Sequence, residues 1–253
     1  MSNDEGYPTI TLDAGRRFTG ELVDGKPSGL GYLEYGEGST YRGHFKDGVP
    51  NGRGILNYGY GDRYEGEFSD EMRNGLGILY YKNGHKYEGS WIKGKRHGRG
   101  IMIFSDGDRY EGEFSDDMRQ GRGIYHFKEG DVYEGEFLSG KFSGYGCYRS
   151  ANGTQYEGQF KNDSYNGDGK FQRSDGLIYE GKWKDDSPTG LGIMHYGDGR
   201  VYQGQFYKWQ RHGNGILRHP DGSELEGQFR QDEFVGINRS RYRWFKMLNP
   251  WGR

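Results

Sequence analysis

The chain has 253 residues and a net charge of −2 from 35 basic and 37 acidic residues; 31% of its residues are hydrophobic and its mean hydropathy is −1.08. Interspersed charges close to balance give no general pull towards nucleic acid or acidic lipid, and no run approaches the roughly 20 apolar residues of a membrane span. So polar a composition fits a disordered chain, but 22 Tyr, 14 Phe and 5 Trp supply rings that carry the burial aliphatic side chains usually provide.

The first residues, Met1 to Gly6, hold neither a basic nor an apolar signal region, so a cytosolic setting is expected. The single cysteine, Cys147, excludes an internal disulfide, fits a reducing compartment, and is expected to be a small buried apolar residue. Next, Thr9-Ile10-Thr11-Leu12-Asp13-Ala14-Gly15 matches the last third of the repeat that follows and predicts a capping half-repeat.

From Phe18 onward the sequence counts in steps of 23. An aromatic-Gly-aromatic anchor starts at Phe18, Tyr41, Tyr64, Tyr87, Tyr110, Tyr133, Tyr156, Tyr179 and Tyr202, and in degraded form at Leu225. With the anchor as offset zero, Gly recurs at offset two in all ten units, an aromatic at offset four in all but the first, and Gly-x-Gly at offsets eleven and thirteen in all but the last. A fixed period of this length means a stacked array. Offsets zero, two and four share one face of a strand, so Tyr64-Glu65-Gly66-Glu67-Phe68 puts two rings on one side and two carboxylates on the other. Ser69 to Asn74 reads as a polar turn, Gly75 to Tyr81 as a second extended run, and Asn83-Gly84 as a tight turn back. Each unit is therefore one β-hairpin. Gly recurring inside strands predicts that a ring of the adjacent strand lies across bare backbone.

The expected fold is all-β: an elongated single-layered antiparallel sheet of about ten tandem 23-residue hairpins, curved by strand twist into a trough, with a short C-terminal capping segment. At about 4.8 Å per strand the array would run on the order of 90–100 Å. The expected division is 1–17 as tail and half-repeat, 18–237 as the array, and 238–253 as a basic-aromatic tail. That tail carries Arg239, Arg241, Arg243, Trp244, Phe245 and Lys246 and no acid before Asn249-Pro250. It reads as an edge cap, as a docking or self-association segment, or as an interfacial lipid anchor.

No chemistry emerges from the motifs. The seven histidines lack metal spacing, the Gly-x-Gly pairs lack the strand-to-helix setting of a dinucleotide site, and Gly94-Lys95-Arg96 lacks the frame of a phosphate loop. A glutamate stripe at offset one, including Glu65, Glu88, Glu111 and Glu134, is expected to be a solvated charge ladder. Its acidity disfavours a nucleic-acid stacking surface, which wants a basic groove. No catalytic residue, cofactor or metal is assigned.

Tyr110-Glu111-Gly112-Glu113-Phe114, continuing through Gly121-Arg122-Gly123 to Gly130, closely resembles the MORN repeat, and the resemblance runs from about residue 10 to 237. It implies a stand-alone scaffold similar to ciliary radial-spoke-head and cytoskeletal MORN proteins. Residues 238–253 are too few for the catalytic domain that some relatives append. A partner helix or extended segment is expected in the trough, against Tyr41, Phe45, Tyr64, Phe68, Tyr87, Trp91, Tyr110, Phe114, Tyr133, Phe137, Tyr156, Phe160, Tyr179 and Trp183. The turn residues Met72, Lys95, Arg96 and Met118 come next. The partner is expected to be axonemal or cytoskeletal, with self-association through the C-terminal end and acidic lipid as lesser expectations. The expected place is cytoplasm and cytoskeleton, with the ciliary axoneme as the best guess; an adaptor anchored to lipid by its tail is the alternative.

Overall fold

The computed structural model describes residues 6–237. Among them are twenty-one β-strands, numbered β1 to β21 in chain order, and no helix longer than a three-residue 3-10 turn. The strands fall into two compact units that divide between Phe142 and Ser143. The first contains β1 (Thr9–Thr11), β2 (Arg17–Val23), β3 (Lys26–Glu34), β4 (Thr40–Lys46), β5 (Val49–Asn57), β6 (Arg63–Ser69), β7 (Met72–Tyr80), β8 (Lys86–Ile92), β9 (Lys95–Ile103), β10 (Arg109–Ser115), β11 (Met118–His126) and β12 (Val132–Leu138). β13 (Lys141–Arg149) holds the boundary. The second unit continues with β14 (Gln155–Lys161), β15 (Ser164–Gln172), β16 (Ile178–Lys184), β17 (Ser187–His195), β18 (Val201–Tyr207), β19 (Gln210–Arg218), β20 (Glu224–Arg230) and β21 (Glu233–Gly236).

Within each unit every strand pairs antiparallel with its sequence neighbours, so each is an open meander of hairpins. A seven-residue strand bearing the anchor alternates with a nine-residue one. β1 pairs with β2, with Ile10 opposite Phe18.

The two turns of each unit differ from the sequence expectation. The polar stretch after the anchor strand is no six-residue turn. Only Asp70-Glu71 turns, both with positive φ (50° and 64°), and β7 begins at Met72. That is the type I′ geometry whose twist matches paired strands. The left-handed conformation recurs without glycine at Asp116-Asp117, Asn162-Asp163, Asp185-Asp186 and Lys208-Trp209. The Asn-Gly and Asp-Gly pairs instead mark the wider turn. There only the glycine is left-handed, as at Gly84 (φ 89°), while the Asn83 side chain accepts the His85 backbone N–H at 3.2 Å. Asp106, Asn152, Asp175, Asp198 and Asp221 repeat that bond to the residue two ahead. These positions are chosen for an Asx turn, not for backbone tolerance.

The long strand accommodates its extra length in a β-bulge. Gly66 faces Gly77, but Phe68 faces Arg73, so Glu67 alone spans Asn74 to Leu76. Gly75 sits in the bulge at φ 96°. The first glycine of each Gly-x-Gly therefore supplies positive φ. The second, with the offset-two glycine, supplies space. A Cβ on Gly77 would lie 2.2 Å from the Tyr64 hydroxyl and 2.4 Å from its Cζ, and one on Gly66 only 2.5 Å from the Gly77 Cα. The Tyr64 ring lies across both glycines, its own strand's and the adjacent strand's, where the sequence suggested the adjacent strand alone. Its hydroxyl donates to the Glu67 carbonyl at 3.0 Å, and Tyr41, Tyr87, Tyr110, Tyr133, Tyr156, Tyr179 and Tyr202 repeat this bond.

Three substitutions can be compared by thermal and urea unfolding. Gly112→Val, whose Cβ would meet the Tyr110 hydroxyl at 2.5 Å and the Gly123 Cα at 2.6 Å, should lose stability at the upper end of overpacking costs, about 3 kcal/mol. Gly94→Val, with nothing within 4 Å of its Cβ, should show only the left-handed backbone penalty of about 1–2 kcal/mol. Tyr110→Phe should cost about 1 kcal/mol through the loss of one buried hydrogen bond.

Candidate interaction surface

The anchor rings and the offset-four rings interlock. In the first unit a chain of edge-to-face contacts runs from Phe18 through Phe45, Tyr41, Phe68, Tyr64, Trp91, Tyr87, Phe114, Tyr110 and Phe137 to Tyr133, with centroids 4.8–5.3 Å apart. The second unit repeats it from Phe160 through Tyr156, Trp183, Tyr179, Phe206 and Tyr202 to Phe229. Each such pair contributes roughly 0.5–1.5 kcal/mol beyond its area burial. Trp91 and Trp183 also donate their indole N–H to the carbonyls of Gly77 and Gly169.

The fourteen rings expected to meet a partner are therefore all placed on one face of their strands, and all are buried. Tyr41, Tyr64, Tyr87, Tyr110, Tyr133, Tyr156 and Tyr179 are 0% exposed, and Phe45, Phe68, Trp91, Phe114, Phe137, Phe160 and Trp183 at most 4%. Beside them lies a further layer, which the sequence reading did not isolate. Its members stand nine residues after each anchor: Pro27, Pro50, Arg73, Arg96, Arg119 and Phe142 in the first unit; Tyr165, Pro188, Arg211 and Phe234 in the second. Of these only Arg96 was among the turn residues singled out. The class is hard to see because Pro, Arg, Tyr and Phe share no hydropathy. Pro27, Pro50 and Pro188 are buried, and the Arg, Tyr and Phe members each lie against a ring. Arg73 lies 4.2 Å over Trp91, Arg119 4.9 Å over Tyr125, and Phe142 stacks on Tyr133 at 3.7 Å and 13°. Tyr165 stacks on Tyr156 at 3.7 Å.

In the first unit three successive lids are cations. Arg73 and Arg119 donate Nη2 to the carbonyls of Gly94 and Gly140, each at 2.6 Å, and make no ion pair among the described residues. Arg96 bonds Asp117 through both its side chain and its backbone N–H. Beside this row stand Tyr58 and Tyr81, whose phenol pKa values are pushed up by burial. In the second unit Trp209 replaces a turn glycine at φ 69°, is 37% exposed, and lies against Trp183 and Phe171.

The opposite face carries the glutamate stripe, alternating with Ile: Ile78 is opposite Glu65 and Glu88, and Ile124 opposite Glu111 and Glu134. Arg63 pairs with Glu65, Lys86 with Glu88 at 3.0 Å and Arg109 with Glu111 at 2.5 Å, all solvent-facing, as a charge ladder should be. Cys147 belongs to this face and is half-buried, contacted by Gln155 at 3.3 Å, not fully buried as expected, because among the described residues no second layer covers that side of the sheet. Met72 and Met118 are exposed at the turns. Arg239, Arg241, Arg243, Trp244, Phe245 and Lys246 lie outside the described residues. Among the described residues no group of three or more His, Cys, Asp or Glu is placed to hold a metal ion, and no helix is long and apolar enough to cross a membrane.

Tandem hairpins locked by a ring over paired glycines define a β-repeat protein, the class to which comparison with known proteins adds a family. The MORN repeat profile matches residues 18–40, 41–63, 64–86, 87–109, 110–132, 133–155, 156–178, 179–199 and 202–224. The chain belongs to the MORN-repeat family. No curated protein sequence matches it. Among solved structures, the TCP10 domain of Danio rerio CPAP is 15% identical with a TM-score of 0.44, over 88% of this chain and 100% of that one, and its complex with a peptide of Danio rerio STIL gives the same figures. The TCP domain of Drosophila melanogaster SAS-4, in complex with a proline-rich motif of Ana2, is 15% identical with a TM-score of 0.39, over 70% and 90%. Likeness at this level carries no argument about function. The repeats themselves point to a protein-interaction scaffold.

Alkaline titration checks the burial of the ring layer. Burial, the leading cause in each case, raises the phenol pKa of Tyr35 to about 12 and of Tyr125 to about 12, and raises those of the anchor tyrosines further. The unfolded chain ionises near 10, so the folded state holds more protons between those values. Stability should be flat below pH ~10 and fall as pH rises towards ~12, with tyrosinate absorbance appearing together with loss of the β circular dichroism signal.

Proposed function

We propose that this chain is a non-catalytic protein-interaction scaffold, and that the ring-bearing face of its first unit takes a partner helix or extended segment. The observation that carries this reading is the run of three arginine lids, Arg73, Arg96 and Arg119, two of them without a carboxylate partner among the described residues, set over a rigid aromatic floor. The buried rings are the foundation of the surface, and the lids are its contacts. Two strands separate successive lids, about 10 Å. That interval matches two turns of a helix or one turn of a polyproline II segment, so the partner should present carboxylates seven residues apart on a helix, or three apart on an extended polyproline II segment, with apolar groups between. Guanidinium groups already laid flat on rings lose little freedom on binding a carboxylate. A cytoskeletal setting, with the ciliary axoneme as its expected place, is proposed from the family resemblance alone.

The test places a photo-crosslinking amino acid at Arg119 on the ring face or at Ile101 on the opposite face, in the full chain and in residues 1–237, with extract of ciliated cells. Crosslinking to axonemal proteins from position 119, kept in the shortened chain, is the expected result, and Arg73→Glu with Arg96→Glu should weaken it at least about 10-fold, as for central charged contacts. Crosslinks only from position 101 would move the site to the other face. Loss on removal of residues 238–253, with lipid-rich fractions recovered, would favour the tail-anchored adaptor instead.

A further inference from the structure

Four arginines stand nine residues after an anchor, and the molecule holds them in two versions of one arrangement. Each donates Nη2 to a backbone carbonyl of the tight turn in the next repeat. Arg73 reaches Gly94 and Arg119 reaches Gly140 at 2.6 Å, Arg96 reaches Asp117 at 2.7 Å, and Arg211 reaches Asp232 at 2.5 Å. The turn residue is left-handed in all four, with φ of 80° at Gly94, 81° at Gly140 and 70° at both aspartates. Only its side chain differs.

Where that residue is aspartate, Oδ1 accepts twice. Asp117 takes the Arg96 backbone N–H at 3.0 Å and its Nε at 3.1 Å. Asp232 takes the same two groups of Arg211 at 2.9 Å and 3.2 Å. Asp186 likewise accepts the Tyr165 N–H at 2.7 Å, so the carboxylate caps a strand N–H whatever side chain follows. Neutralising that side chain is a further consequence when it is arginine. The two arginines beside glycine sit closer over their rings, Arg73 at 4.2 Å from Trp91 and Arg119 at 4.9 Å from Tyr125. Arg96 stands 5.5 Å from Phe114 and Arg211 5.4 Å from Phe229, each drawn towards its carboxylate.

We propose that Asp117 is a specificity-determining residue of the cationic row: it occupies Arg96, so that the row reads anions at Arg73 and Arg119, two repeats apart. The inference rests on the reading of this row as the contact surface. A guanidinium that already holds a carboxylate in its fork gains little from a second one, which must displace or share the first. Four strand spacings separate Arg73 from Arg119, about 19 Å. That span fits about thirteen residues of helix or six of a polyproline II segment. The partner's outer carboxylates therefore carry the contact, and a middle one contributes least. Gly94 and Gly140 become determinants in their turn, because a side chain there would restore the muted version. A Cβ at either meets nothing within 4 Å, and the left-handed backbone is one that aspartate tolerates.

The test titrates the full chain with a helical peptide bearing three glutamates seven residues apart, and with three versions that each carry one Glu→Gln change. On the unmodified chain, losing either outer glutamate should weaken binding about 3-fold, and losing the middle one less than about 1.5-fold, within the range of solvent-exposed pairs. Asp117→Asn keeps an oxygen to cap the Arg96 N–H and removes the charge, so the middle glutamate should then matter as much as the outer two. Gly94→Asp should transfer the Arg96 arrangement to Arg73 and remove the dependence on one outer glutamate. Asp116→Asn deletes the same charge from the same turn, but Asp116 lies 3.6 Å from Lys95, and it should leave the pattern unchanged. A readout independent of any peptide is arginine labelling with phenylglyoxal, located by mass spectrometry. Arg96 should label several-fold more slowly than Arg73 and Arg119, and Asp117→Asn should remove the difference. Equal dependence on the three glutamates in the unmodified chain, or labelling of Arg96 that Asp117→Asn leaves unaltered, would overturn the proposal. If no peptide binds any of these chains while labelling follows the expected order, the contact-surface reading fails and Asp117 remains the group that occupies Arg96.

Discussion

A tyrosine ring lying over two facing glycines is the contact on which everything else in this molecule depends. An open sheet has no second layer to bury its rings. Here the sheet's own backbone is stripped of side chains at offsets two and thirteen, and the anchor ring drops into that bare patch. The bulge beside it frees the carbonyl at offset three to take the hydroxyl. The ring is thereby fixed in position and orientation, and presents its edge and face to the offset-four rings on either side. Cohesion passes from repeat to repeat through these contacts as well as through the backbone ladder, as nearest-neighbour coupling in a solenoid requires.

This economy separates the work of holding the fold from the work of recognition. The rings are consumed in packing on one another, while the position nine residues after each anchor varies among Pro, Arg, Phe and Tyr. The run Arg73, Arg96, Arg119 gives the first unit a cationic row. Tyr165 and Trp209 give the second an aromatic one. The opposite face, with Ile and Glu alternating and the charges paired along their own strands, is a conventional solvated sheet surface.

Much of the hairpin architecture was legible because its constraints are local. Gly66 and Phe68 announce themselves by spacing from Tyr64, and the half-repeat at Thr9 by its position relative to Gly15. The turn chemistry was half legible. Asn83-Gly84 marked a real turn, but its asparagine caps a backbone N–H and does not adopt positive φ. The tighter turn at Asp70-Glu71 was hidden because neither residue is a glycine. Its left-handed geometry is imposed by the paired strands on both sides. The bulge was hidden for the same reason: Gly-x-Gly shows that freedom is needed, not which glycine spends it on φ and which on space.

The sequence by itself determined the period, the hairpin, the two-faced strand and the exclusion of a metal-binding motif, since each depends on residues close together in the chain. Only the tertiary structure decided which groups are buried and which are offered. Burial of the anchor ring Tyr64 depends on Gly77 in the adjacent strand and on Trp91 in the next repeat. Arg73, Arg96 and Arg119 look like ordinary turn-flanking cations until the next repeat places a ring beneath each. The rings that looked like a binding site are buried against one another, because in a sheet one layer thick the most apolar groups have no second layer to cover them.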